Sequence, residues 1–347
     1  MKVDLALGSP EPASVAGLAR AAESFGFDAV WLAETRHDPF VSAALALAAT
    51  GTIEVGTGIA VAFARSPIVL AQSAFDLAAL SGGRFHLGLG TQVRAHVERR
   101  FGMPWSAPAP RLAEWIAAVR AAWATWQDGT PFRVRSEHLD LSLMSEFFSP
   151  PPLSFGRPDG SPRVPLSVAR VGPGLARLAG RVADGFQVHP FHTARYLSEV
   201  LEPALERGEA ERLGGHPRRV ARIVPVFVAP TDVPAAVGEV RSRIAFYAST
   251  PTYRPVLALH GRAHVGERLG RLAVAGRWDE MADLVDDELL ALVAVVAPSA
   301  SIAPALASRV AGHADRVLPV LSFEPDASGA LPNASLWGAL MESLRAA

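Results

Sequence analysis

Residues 29–61 read AVWLAETRHDPFVSAALALAATGTIEVGTGIAV, and this stretch decides the architecture. It opens on a short apolar run, 29–33, suited to a buried strand. The polar turn ETRHD (34–38) follows, then an Ala/Leu-rich helix over 42–50 that stops at Gly51. A second apolar strand fills 53–61. Two buried strands separated by one helix form a βαβ unit. The crossover helix returns the chain to the same end of the sheet, so the two strands run parallel.

The same alternation extends in both directions. Upstream, residues 3–7 form a strand, and Val15, Leu18, Ala19, Ala22 and Phe25 share one helix face that ends at Gly26, where positive φ is least costly. Downstream, a helix over 67–80 opens with Pro67 and closes at Gly82 and Gly83, before a fourth strand at 85–89. On helix 111–127, Leu112, Trp115, Ile116, Val119, Trp123 and Trp126 fall on one stripe. That regular spacing predicts an outer helix packed on a sheet rather than an aromatic ligand box. Further strands are predicted at 164–169, 185–189, 222–228 and 316–321, with helices through 175–182, 194–213, 233–248 and 335–344. Residues 251–312 look helical but irregular.

Eight strands in this rhythm predict an α/β chain folded as a single (β/α)8 TIM barrel over 1–347. An open doubly wound sheet is the alternative. Two excursions, about 130–163 after helix 4 and 251–285 after strand 7, are expected to cover a functional site.

Composition narrows the function. Of 347 residues, 50% are hydrophobic and 19% charged, which excludes a disordered chain. A formal net charge of -1 gives no global attraction to nucleic acid, and zero Cys excludes disulfides and thiolate chemistry. The start, MKVDLALGSP, turns polar too early for a signal peptide, and the apolar run 289–298 is too short to span a bilayer. The expectation is a cytoplasmic protein acting on a small molecule.

In a barrel, chemistry sits at the C-terminal strand ends. After strand two stand Glu34 and His37, candidates for proton transfer. Strand three carries Gly56 and Gly58, which suit either tight packing or a flat ligand lying against the backbone. Strand four ends in GLGTQV, offering Thr91 and Gln92, with Arg94, Arg99 and Arg100 beyond. It lacks the third glycine of a dinucleotide fingerprint. ARVGPG (169–174) opens a helix and makes a phosphate-type anion site, with Arg170 as an added donor. His189 and His192 follow strand six. A metal site would need further ligands, such as a His-x-His on strand one, which holds Asp4 and no His. No metal is expected, and His189 is assigned to the ligand site. His86, inside strand four, reads as structural.

The segments AVWLAETRHDPF, VGTGIAVAFARSP, LSGGRFHLGLGTQVRAHVERRFG and VARVGPGLARLAGRVADGFQVHPF, in this order, resemble the bacterial luciferase-like oxidoreductases, especially the branch using the deazaflavin coenzyme F420. The resemblance implies a flat tricyclic cofactor at the mouth of the barrel. It implies a non-prolyl cis peptide at Gly58–Ile59 and an acidic site residue at Glu34. It places ring and tail contacts at Thr91 and Gln92, and a phosphate loop at Ala169, Arg170, Val171 and Gly172. One position departs: some dehydrogenases of the family carry a catalytic His directly after the acidic residue, where this chain has Thr35.

The resemblance therefore implies hydride transfer between F420 and an organic substrate, with Glu34 or His37 moving the proton. Reduced FMN with oxygen is the alternative, and a barrel that binds ligand without catalysis is the third reading. A homodimer through the helices at 42–50 and 67–80 is implied as well. The substrate is not identified, and whether Phe63, Phe191 or Tyr253 lines its pocket stays open.

Overall fold

Each of the first three helices starts at a proline, whose missing N–H is no loss in a first turn. Helix Pro12–Phe25 ends at Gly26 in the left-handed region (φ 83°), and helix Pro67–Ser81 at Gly82 (φ 62°). Helix Pro39–Ala49 is capped by Asp38, which accepts from the amides of Phe40 and Val41, so it begins three residues before the predicted start.

These elements come from a computed structural model, which describes residues 1–156, 163–212, 219–233, 235–323, 325 and 330–346, without the side chains of Arg170 and Ala346. The described strands are β1 (Lys2–Gly8), β2 (Ala29–Leu32), β3 (Glu54–Thr57), β4 (Ala60–Val61), β5 (Phe85–Gly90), β6 (Val134–Arg135), β7 (Asp140–Leu141), β8 (Leu166–Arg170), β9 (Gly185–Val188), β10 (Ala221–Pro230), β11 (Ala294–Ala297) and β12 (Arg316–Val320).

Pairing runs β1–β2–β3–β5–β8–β9–β10–β12 and back to β1, parallel throughout. This is a closed eight-staved parallel barrel with helices between the staves. The predicted strand 53–61 is one stave in two pieces. β3 pairs with β2 and β5, then the chain passes through Gly58–Ile59, whose peptide bond is cis, and β4 pairs again with β5. The tryptophans of helix Pro108–Asp128 pack as side chains of an outer helix, against helix Pro67–Ser81 and the residues before it. Trp115 and Trp123 donate to the carbonyls of Arg65 and Ala71, and Trp126 packs edge-on to Phe75.

The structure differs from the sequence reading at 251–312, which contains a strand. β11 lies parallel to the C-terminal half of β10, pairing Phe227 with Ala294 and Pro230 with Ala297. The chain thus leaves the C-terminal end of β10 and returns to it. Residues 231–233 and 235–293 belong to one long excursion that starts and ends at the C-terminal half of β10, and helix Ser299–Val310 makes the crossover to β12. Helix Ala236–Ser249 belongs to this excursion, which is wider than the expected 251–285. The other excursion carries the antiparallel pair β6–β7; residues 157–162 of it lie outside the description.

Inside the staves, the N-terminal end is closed by charge. Arg316 binds both carboxylate oxygens of Asp4 and reaches Glu54 (2.7 Å), which Lys2 and His86 also approach. Burial alone would lower the Arg316 pKa, but the charges of Asp4 and Glu54 raise it. The Trp31 indole donates to Asp4 (2.9 Å) and fills the middle. A Cβ on Gly56 would sit 2.4 Å from its ring, so tight packing accounts for that glycine. One layer higher, Gln187 crosses the lumen to the Thr57 carbonyl (3.1 Å) and the Ser167 hydroxyl (2.7 Å). Thr57 Oγ1 bonds the N–H and the carbonyl of Gly88.

Candidate active site

Side chains alternate along a strand, so Gln187 in the lumen places His189, two residues on, on the same face above it. The same alternation carries Ser167 to Ala169 and Gly88 to Gly90. The predicted site residues accordingly fall at the C-terminal ends of five consecutive staves. Glu34 follows β2, Gly58 and Ile59 interrupt the third, Thr91 and Gln92 follow β5, Ala169 to Gly172 end β8, and His189 follows β9. Small residues dominate this arc, and Gly8 of β1 adjoins it with nothing within 4 Å of a Cβ added there.

The turn after β2 is held from several sides. The Glu34 N–H donates to the Ile59 carbonyl (3.1 Å). Glu34 Oε2 accepts from the Val61 amide and from Arg65 Nη1, both at 2.7 Å. The second arm of the Arg65 fork binds Asp38 at 2.7 Å. Burial opposes ionisation of Asp38, but hydrogen bonds from Arg65 and the Phe40 amide hold its carboxyl below the usual range. Arg100 donates to the Thr35 carbonyl. His37 faces the other way: its N–H donates to Ser9 Oγ, and its Nε2 lies 3.3 Å from a Glu11 oxygen.

After β5, Thr91 is buried and Gln92 adopts φ 56°, its side-chain oxygen accepting from the Val93 amide. A Cβ on Gly90 would strike the Ile59 side chain at 2.7 Å, so the Ile59 side chain rests on a residue that has none. Arg94 pairs with Glu98 on the exposed helix Arg94–Arg99 and does not join the rim.

At β8, Val171 is buried and Gly172 caps helix Pro173–Val182 with no side-chain hydrogen bond. A Cβ on Gly172 or Gly174 would meet nothing within 4 Å. An uncapped helix start with open space before it suits an anion. The Arg170 side chain lies outside the description.

His189 is held by aromatic neighbours from the long excursion. It stacks on Tyr253 (4.5 Å between centroids) and meets Tyr247 edge-on at 4.6 Å. Nδ1 accepts from the Phe191 amide, so the proton resides on Nε2 and is donated to the Tyr253 hydroxyl at 3.0 Å. Burial and the nearby His192 push the His189 pKa down to about 3, so the ring is neutral. Tyr253, left open in the sequence, thus reaches the site, whereas Phe63 packs against Trp115 and Arg111 on the outer layer. Arg65, Gln187 and Tyr247 carried no signal in sequence, because their partners are far along the chain.

The sequence profile described as luciferase-like monooxygenase matches residues 2–316. The chain belongs to this family. An uncharacterized protein of Mycobacterium tuberculosis is 45% identical over 313 residues, covering 89% of this chain and 90% of that one. The F420-dependent glucose-6-phosphate dehydrogenase of Beutenbergia cavernae is 34% identical over 209 residues, 55% of this chain and 56% of its own length. Among solved structures, the coenzyme F420-dependent tetrahydromethanopterin reductase of Methanopyrus kandleri superposes with a TM-score of 0.80 at 18% identity, covering 99% of this chain and 98% of that one. The luciferase-like family is thus one of oxidoreductases and monooxygenases, and its barrel is the one described above.

Proposed function

We propose that this chain is an F420-dependent oxidoreductase acting on a small organic molecule. The observation that carries the reading is the uncapped, glycine-led start of helix Pro173–Val182 beside an arc of small residues. The amides of that first helical turn, with the backbone of Ala169, Arg170, Val171 and Gly172, would hold the cofactor phosphate. Ile59, Thr91 and Gln92 would bound its ring and tail. When bound, a deazaflavin supplies a hydride to, or accepts one from, a substrate carbon.

The chain's own part is to bind, orient and exclude water. The excursion after β10 brings Tyr247 and Tyr253 against His189, which would shield that side of a bound ring from water. Of the two residues of the 34–38 turn proposed to handle the proton, His37 faces Glu11 and Glu34 faces the interrupted stave. Reduced FMN is the second reading, because the same helix start accepts either phosphate. The exposed faces of helices Pro39–Ala49 and Pro67–Ser81 carry Val41, Leu45, Val69 and Leu80, which favours a homodimer.

The test is a fluorescence titration of the purified protein with F420 and with FMN, alongside light scattering. Micromolar binding of F420 and a dimer are expected. Preference for FMN moves the reading to a flavin monooxygenase. Binding of neither below about 1 mM removes the enzyme reading and leaves a ligand-binding barrel.

A further inference from the structure

Glu34 stands where an acidic proton donor would be sought, yet its bonds describe something else. Its N–H reaches the Ile59 carbonyl and its carboxylate reaches the Val61 amide, so one residue grips both ends of a three-residue segment of the next stave. That segment is where the β3 ladder stops and β4 begins. The Glu34 side chain supplies there the hydrogen bonding that a continuous strand would have made. The oxygen that accepts from Val61 also accepts from Arg65, so two donors converge on one carboxylate oxygen and that atom holds backbone and guanidinium together.

Arg65 is itself fixed. Its other arm binds Asp38, its carbonyl accepts from the Trp115 indole, and its guanidinium lies 5.2 Å over the Phe40 ring. The Glu34 side chain is 6% exposed and that of Arg65 15%, so the pair is largely withdrawn from water, and Arg65 has Asp38 as its second carboxylate. Asp38 meanwhile caps the next helix. The chain is continuous: helix cap, Arg65, Glu34, Val61.

We infer that Glu34 is a clamp rather than a proton donor, and that Arg65 is a positioning residue which, through Glu34, sets the Ile59–Val61 backbone on which a planar cofactor ring lies. The ring is supplied by the proposed function above, on which this part of the inference rests. The clamp itself does not depend on it.

The test compares E34Q, E34A, R65M and the double variant E34A/R65M in the full chain. Three readouts are used: F420 affinity by fluorescence, hydrogen exchange at the Val61 amide, and turnover against pH. A glutamine oxygen still accepts from Val61 and Arg65. E34Q is therefore expected to keep affinity, exchange protection and turnover within about threefold of the parent protein. E34A and R65M are expected to weaken F420 binding and to speed Val61 exchange, each at least tenfold. The double variant should be no worse than E34A alone, because both act through one contact.

A proton donor predicts the reverse pattern. E34Q would abolish turnover and remove one limb of the pH profile, with affinity and Val61 exchange unchanged and R65M near normal. That result overturns the inference. Should E34A fail to fold, R65M and E34Q still separate the two patterns. Should the parent protein bind neither F420 nor FMN, the proposed function fails, while Val61 exchange in R65M and E34A still decides whether the clamp exists.

Discussion

Tyr253 and His189 are 64 residues apart in sequence, yet the phenol oxygen accepts the imidazole Nε2 proton at 3.0 Å and the two rings stack at 27°. The pair joins the long excursion to the end of β9 and fixes one imidazole tautomer at the mouth. Y253F keeps the stacking and removes the acceptor, leaving a buried N–H unpaired. A loss of about 1–2 kcal/mol is expected, read as a lower midpoint in urea unfolding with an unchanged slope.

The two histidines after β9 make stability depend on acid. Burial, with His192 beside it, pushes His189 to about 3, and burial pushes His192 to about 4, from an ordinary 6.5. The unfolded chain therefore binds more protons than the folded one between those values and 6.5. The stabilisation is complete above about pH 6.5 and fades as pH falls toward 4 and then 3. Each group contributes a slope of up to about 1.4 kcal/mol per pH unit inside that window. Thermal melts from pH 7.5 to 4 should show a falling midpoint, and H192Q should flatten the fall. A midpoint level over that range contradicts the assignment.

Two glycines of the barrel should separate stability from binding. A Cβ on Gly88 would lie 1.9 Å from the Thr57 carbonyl oxygen, whereas one on Gly172 meets nothing. G88A is expected to destabilise the fold by about 3 kcal/mol, at the upper end for overpacking. G172A should leave the melting midpoint within a degree or two while weakening cofactor binding, since the new methyl projects into the space before the helix start. Calorimetric melting and a fluorescence titration of the same two proteins check both statements.

At the opposite end of the lumen, Asp4 is fully buried against Arg316. R316M leaves that carboxylate without its partner and is expected to cost about 3–5 kcal/mol. Affinity for cofactor in the fraction still folded should be unaffected, because the pair closes the end of the barrel away from the mouth. A variant that unfolds at the parent midpoint would show that Lys2 and His86 suffice to close the N-terminal end.

Much of this molecule follows from short-range pattern. The spacing of Val15, Leu18 and Ala22, the proline at the start of each early helix, the capping glycines Gly26 and Gly82 of the first and third, and the apolar runs at 3–7 and 29–33 each act within one element. Hydrophobic period and φ preference are local properties, so seven of the eight staves can be placed from residue order, with the crossover helices between them except the last, Ser299–Val310, which is lost in the irregular stretch 251–312. The third stave was placed too, though as one strand, because its interruption at Gly58–Ile59 is not a matter of polarity. β11 was absorbed into a helix for a related reason. AVVA is four residues of a longer apolar run, and periodicity does not tell a short buried strand from a helix turn.

What only the tertiary structure decided is which polar groups meet. Residue order marked Glu34 as chemically interesting, but its partner Arg65 lies 31 positions away, and Gln187 bonds a carbonyl 130 positions away. Such contacts arise when eight staves close and bring distant strand ends to one rim, and no window of sequence contains that closure. Order along the chain therefore determined the barrel and the rim on which chemistry would sit. The folded barrel determined that Glu34 is paired, that His37 faces Glu11, and that Tyr253 stands over His189.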